Sequence, residues 1–304
     1  MSYELRPLTL AEILDAAFRM VQTEWRTLVG LSLIMQVPLV LLALSTPWLF
    51  DPFASPTEPG VQPTGQELLE VFGALSGMGL AYLLLYPFVA ASVTAAVAHR
   101  YLGRPFALAD AARAGLASVL RLVASYLVYV VALFGGVLIV GGAITFVVVM
   151  GGASLREVLG SLGAVGIGLG ILLGIGVFVL LALVMLYLVA LSALLPPVAV
   201  LESAGVVGTV SRSFALASTA RGRVVLIVMT AGLIVGIPVG AAQMMIGFMP
   251  VFGILVWAGL QALAFAFTTS VAVVLYFDLR CRAEHYDLEL LAEQVETGRG
   301  LAER

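Results

Sequence analysis

The sequence predicts an all-α integral membrane protein: six transmembrane helices in three hairpins, each hairpin preceded by a cytoplasmic interfacial amphipathic helix, with a three-fold internal pseudo-repeat. Three observations lead there. Apolar residues fill 62% of the 304 positions and charged residues 11%, against roughly 45–50% and 25% in a soluble domain. Six apolar runs, near residues 27–49, 71–98, 122–150, 160–195, 224–248 and 251–277, contain no Asp, Glu, Lys, Arg or His, and each reaches the roughly 20 residues that cross a bilayer. All fifteen basic residues are arginines, and they gather in alternate connections.

The first element is "TLAEILDAAFRMVQTEW" (9–25), with Leu10, Ile13, Leu14, Ala17, Phe18, Val21 and Trp25 on one stripe and Glu12, Asp15, Arg19 and Gln22 opposite. That spacing predicts an amphipathic helix, and Thr9 with Glu12 forms a capping box at its start. The run that follows is not a cleavable signal, since 26 residues precede it and carry Glu4, Glu12, Asp15 and Glu24 rather than a short basic head. A similar stretch, "ALADAARAGLASVLRL", begins 98 positions later at 107, and "GVVGTVSRSFALASTARGR" places Phe214 98 positions after Leu116. Each is followed by two apolar runs, so the economical reading is three copies of one unit related by an axis along the membrane normal. The alternative is that any hairpin-built membrane protein needs basic amphipathic connectors.

The fourth run is long: residues 158–201 are uncharged. One helix is expected there, ending near Pro196 and Pro197 where a helix interior cannot continue, because two spans would invert every arginine that follows. With the N-terminus inside, 14 of the 15 arginines face the cytoplasm and only Arg156 faces out. The positive-inside rule then puts both termini in the cytoplasm. The organisation is one polytopic domain over 1–291, with pseudo-repeats at about 8–103, 104–202 and 203–291, and a cytoplasmic tail over 292–304.

The polar cluster in "VVLYFDLRCRAEHYDLELL" (273–291) reads as the collar of the sixth helix, continuing to Leu291, with Tyr276 and Tyr286 in an aromatic belt. Leu288, Leu290 and Leu291 are placed to pack the tail back. Cys281 and His285 share a helix face but lack an orienting group or oxyanion donor, and His99, His285 and Cys281 make a poor metal set. No catalytic residue, metal or cofactor is expected, and the single cysteine excludes a disulfide within one chain. A net charge of -3 does not point to nucleic acid.

"RPLTLAEILDAAFRM", "YLGRPFALADAARAG", "LPPVAVLESAGVVGTVSRSFAL" and "VLYFDLRCRAEHYDLELL", in that order, resemble the bacterial membrane-domain family named after glycerophosphoryl diester phosphodiesterase. The resemblance covers nearly the whole chain. It implies the membrane domain without its enzyme: thirteen residues follow Leu291, and "HRY" at 99–101 departs from the His-Arg-Gly signature of the phosphodiesterase. Architecture follows from the resemblance, and mechanism does not.

Two function classes fit: a non-catalytic scaffold or accessory protein binding lipid or a protein partner, and a transporter or channel for a neutral or amphiphilic solute. Spans without charged residues speak against proton or ion coupling. Gln36, Gln243, Gln261 and "FTTS" at 267–270 either line a polar path or bond between helices. Arg100, Arg104, Arg121, Arg221, Arg223, Arg280 and Arg282 are candidate contacts for anionic lipid headgroups. Gly166, Gly170 and Gly174, four apart, predict a close helix–helix face within the bundle or across a homo-oligomer.

Overall fold

The computed structural model describes residues 6–45, 65–104, 106–161, 163–202, 204–286 and 288. Among them the regular elements are helices: α1 Leu10–Thr23, α2 Trp25–Ser45, α3 Gly65–Tyr101, α4 Leu108–Ser161, α5 Ala164–Ser192, α6 Leu195–Leu201, α7 Val206–Ser218, α8 Arg221–Ile246 and α9 Pro250–Glu284. Six of them, α2, α3, α4, α5, α8 and α9, are long and apolar enough to cross a membrane. The connection between the first two spans lies almost wholly outside the described residues, as do Leu290, Leu291 and the tail.

The capping box at the start of α1 is present. Thr9 N–H donates to Glu12 Oε2 at 2.7 Å, Thr9 Oγ1 accepts from Glu12 N–H at 3.3 Å, and Arg6 joins the same carboxylate at 2.6 Å. The Thr9 backbone bond, then Arg6, hold the exposed Glu12 carboxyl down to about 2, below its ordinary 4.5. A depressed carboxylate stabilises the fold fully above the ordinary value, and that contribution is lost as the pH falls to about 2. Ile13, Ala16, Ala17, Met20 and Val21 form the buried face of α1, which packs on α9. Phe18 and Trp25, expected on that stripe, are more than half exposed: Phe18 lies off the edge of the face, and Trp25 begins the next helix.

The helices α1, α4 and α7 start at Leu10, Leu108 and Val206, 98 positions apart each time, and α2 and α8 start at Trp25 and Arg221, 196 apart. The second of these stretches departs from expectation. Residues 107–122 do not form a separate helix but run on without a break into the 54-residue α4, about 80 Å long at 1.5 Å per residue and far longer than the ~30 Å hydrocarbon core. Its sequence explains this. Thr23 and Thr219 stand at the ends of α1 and α7 and bond back to the carbonyls of Arg19, Met20 and Leu216, the local competition with which such residues loosen a helix. At the matching position α4 has Arg121, a good helix former with no hydroxyl to compete.

The end of the fourth span differs too. The helix α5 stops at Ser192, and Pro196 and Pro197 lie in the first turn of the short buried α6, where the missing proline N–H groups have no helical partner to lose. Tyr129 on α4 donates to the Leu188 carbonyl of α5 at 2.6 Å. Pro38, Pro87 and Pro238 lie inside α2, α3 and α8, which membrane helices tolerate when neighbours satisfy the freed carbonyls.

At the centre, α3 and α9 are buried on all sides. Every residue from Val89 to Ala98 and from Thr269 to Leu279 is buried, and α3 carries Ala, Val, Ser and Thr there, small enough for close backbone approach. A Cβ added to Gly115 of α4 would clash with Ser92 Oγ and lie 2.9 Å from the Phe88 carbonyl, so α3 and α4 touch at this glycine. At Gly253 a Cβ would reach the Ile246 backbone at 2.6 Å, which closes the α8–α9 turn. Of the predicted glycine face, Gly166 is buried and Gly174 has nothing within 4 Å of its Cβ position; the surroundings of Gly170 lie outside the described residues.

The sixth span does not continue unbroken to Leu291. The helix α9 ends at Glu284, and His285 takes a left-handed conformation (φ 55°, ψ 39°). The chain turns there, so that Tyr286 folds back with its ring 3.9 Å below the Arg280 guanidinium and stacked on Phe277. Tyr286 thus returns to α9, Leu288 is 60% exposed, and Leu290 and Leu291 lie outside the described residues.

Replacing His285 with Gly is expected to stabilise the protein by about 1 kcal/mol, because glycine carries no left-handed penalty, and a raised melting temperature in detergent checks it. Gly115→Ala should destabilise by about 1–3 kcal/mol through overpacking, whereas Gly174→Ala should leave the melting temperature of the single chain unchanged or slightly higher.

Candidate functional site

The polar residues after the sixth apolar run form two ionic clusters on opposite faces of α9. Two residues along a helix are about 200° apart and four are about 40° apart. Asp278 and Arg282 therefore share one face, and Tyr276, Arg280 and Glu284 share the other.

On the first face Asp278 is fully buried, its side chain 0% exposed. It accepts the Leu8 N–H at 2.7 Å, Arg223 Nε at 3.1 Å and Arg282 Nε at 3.1 Å. The carbonyl of Leu8 accepts from Arg282 Nη2 at 2.9 Å and also from Arg223 Nη2. One carboxylate and two guanidiniums thus hold the peptide groups on either side of Leu8, fastening the segment before α1 to α8 and α9. A carboxylate loses several kcal/mol of solvation on burial, and charge-assisted hydrogen bonds offset that loss.

On the second face five side chains close a ring. Tyr276 donates its hydroxyl to Glu202 Oε1 at 2.9 Å, Arg212 Nε donates to Glu202 Oε2 at 3.0 Å, and Arg212 Nη2 donates to Glu284. Arg280 Nε then donates to Glu284 Oε2 at 2.9 Å and Arg280 Nη1 to the Tyr276 oxygen at 3.5 Å. Two glutamates balance two arginines, and the ring ties the C-cap of α6 and the middle of α7 to α9. A third pair, Arg100 and Glu24 at 3.1 Å, joins the end of α3 to the α1–α2 junction.

These contacts divide the seven predicted lipid-contact arginines. Arg100, Arg223, Arg280 and Arg282 are engaged by Glu24, Asp278, Glu284 and Asp278 of the chain itself. For Arg104, Arg121 and Arg221 no carboxylate lies within ion-pair distance among the described residues, and Arg121 Nε is a buried atom without a hydrogen-bond partner. Sequence reasoning missed the carboxylates. Asp278–Arg282 and Arg280–Glu284 are both four apart, the spacing of helical ion pairs, and that signal was legible; the reach to Leu8, Glu202 and Arg212 was not.

No group of three or more His, Cys, Asp or Glu able to hold a metal occurs among the described residues. An apolar cavity of about 170 Å³ lies between α1, α8 and α9, lined by Phe18, Val21, Val235, Pro238, Leu263 and Phe267 among others.

Asp278→Asn should cost about 3–5 kcal/mol, the range for removing one partner of a buried ion pair. It should also expose residues 6–9 to limited proteolysis before the helices melt. Uniform melting without early cleavage would show that the N-terminal segment is held by α1 alone.

No protein-family model matches the chain, and no curated protein or solved structure matches it.

Proposed function

We propose that the chain is a non-catalytic scaffold or accessory protein of the bacterial cytoplasmic membrane that binds anionic lipid through arginines left unpaired at its cytoplasmic face. The observation that carries this reading is the division of the arginines. Four serve carboxylates of the fold, while Arg104 precedes α4, Arg121 stands in its first third and Arg221 opens α8. Basic side chains at the anionic leaflet contribute roughly 1 kcal/mol each. The apolar cavity beside α1 and α8 suits an acyl chain, because the α8 and α9 segments that border it belong to helices able to span a membrane.

The reading includes three α-helical units, each an amphipathic stretch followed by a transmembrane hairpin, the second stretch being continuous with α4, with both termini cytoplasmic. Support comes from the 98-residue spacing of the α1, α4 and α7 starts and from 14 of 15 arginines on one side. The ordered motifs that resemble the membrane domain named after glycerophosphoryl diester phosphodiesterase point the same way. A homo-oligomer or protein partner would find its contact on the outward face of α5, where Ile171, Leu172, Ile175 and Leu183 are exposed. The transporter reading for a neutral or amphiphilic solute rests on one observation, the unpartnered buried amide of Gln36.

The triple variant Arg104→Ala/Arg121→Ala/Arg221→Ala should retain fewer anionic lipids in native mass spectrometry, with affinity lowered by up to about a hundredfold for three lost contacts of about 1 kcal/mol each. Arg280→Ala should instead lower the melting temperature and leave lipid retention near wild type. Equal retention in the triple variant would leave those arginines as insertion signals. A cysteine placed within 51–65 should be labelled from outside and one at Gly205 should not; the reverse pattern overturns the orientation.

A further inference from the structure

Gln36 is 2% exposed in the middle of α2, and neither its amide nitrogen nor its amide oxygen has a hydrogen-bond partner. The hydroxyl of Thr94 on α3, fully buried, is also without one. Both helices pack on each other and on α9. Buried polar groups in proteins are almost always paired with protein or with ordered water, and inside a bilayer no bulk solvent is at hand. Two orphans in one three-helix core therefore call for an explanation.

Fixed contacts set the register of the three helices. Tyr101 of α3 stacks on Phe277 of α9 with ring centroids 5.2 Å apart. Thr94 and Ser270 each lie seven residues before those rings, about two turns away and on nearly the same helix face, so they stand at one level across the α3–α9 contact. Leu28 of α2 and Val97 of α3 line one small cavity, and Glu24 pairs with Arg100. Counting from Leu28 and Val97 along these antiparallel helices, Gln36 and Thr94 are separated by roughly 7–8 Å along the axis. Helical side chains lean toward the N-terminus of their own helix. On α2 this carries the Gln36 amide toward the level of Thr94, and on α3 it carries the Thr94 hydroxyl toward Gln36. Ser32 and Ser270 spend their hydroxyl protons on the Leu28 and Ala266 carbonyls, so neither needs a further acceptor.

We propose that the α2–α3–α9 core holds an ordered water molecule hydrogen-bonded to the Gln36 amide and the Thr94 hydroxyl. The chemistry selects a neutral ligand that both donates and accepts. Gln36 offers two N–H donors and a carbonyl, Thr94 offers a donor and an acceptor, and no Asp, Glu, Lys, Arg or His lies within 27–49, 71–98 or 251–277. Water meets these demands at the smallest volume, beside the small Ala, Val, Ser and Thr side chains of α3. The site is separate from the arginines of the lipid reading and does not depend on it.

A structure of the purified protein at a resolution that shows ordered water is expected to contain a peak within about 2.6–3.2 Å of both groups. Direct contact between Gln36 and Thr94, or an empty gap, overturns the proposal. Thermal melting of Gln36→Leu, Thr94→Val and the double variant provides a second reading. With a shared water each single change should lower the melting temperature by about 2–4 °C per interaction lost, and the double variant should lose less than the sum. In a dry core Gln36→Leu removes an unsatisfied amide and raises the melting temperature, which also overturns the proposal.

Discussion

The buried carboxylate of Asp278 is the constraint on which the arrangement of the helices depends. It is a charge placed where water cannot reach it, and among the described residues it is satisfied by two distant parts of the chain, the Leu8 peptide and Arg223 at the start of α8, and by Arg282 one turn further along α9. The two guanidiniums also reach the Leu8 carbonyl, so the carboxylate, the arginines and the peptide position one another. Such an assembly has few alternatives. Shifting α9 by one residue would carry Asp278 about 100° round the helix and strand it in an apolar core.

A second constraint is steric. Within a bilayer the hydrophobic effect does not draw helices together, because lipid tails are as apolar as leucine; contact depends on close packing and on hydrogen bonds. The buried stretch of α3 from Val89 to Ala98 and the glycine at 115 supply the close approach. The ionic clusters on α9 supply the bonds. Large apolar side chains such as Leu69, Phe72, Leu172 and Ile237 face outward, which in water would be a defect and in lipid is a solvated surface. The ring of Tyr276, Glu202, Arg212, Glu284 and Arg280 and the Asp278 cluster work from opposite sides of one helix, so α9 is held against α6 and α7 on one side and against α8 and the N-terminal segment on the other.

The same arginines that mark topology in the sequence thus have two separate uses. Where a carboxylate lies within reach in space, as Glu24 does for Arg100 and Glu284 for Arg280, the guanidinium is part of the fold. Where none does among the described residues, as with Arg104 and Arg221, the guanidinium takes no part in the ionic clusters, and the proposed lipid contact rests on those residues. Composition and spacing along the chain treat all of them alike, because the distinction is a matter of which segments meet.

What the sequence by itself determined is the class and the count: an α-helical chain with six segments long and apolar enough to cross a membrane, and the capping box that starts α1 at Thr9. These follow from local properties, since hydropathy, helix period and cap chemistry are set within a few residues. The tertiary structure decided the rest. Among the described residues the closest glycine approaches are at Gly115 and Gly253, which no regular spacing marked, Tyr286 returns to α9, and a stretch expected to break off as its own helix runs on as α4 past Arg121. In each case the outcome depends on a partner from elsewhere in the chain or on the loss of one hydroxyl at a helix end. Asp278 shows the difference most clearly: one acidic residue at a helix exit in the sequence, and in space the point where α8, α9 and the N-terminal segment are joined, because a buried charge accepts only the geometry that pairs it.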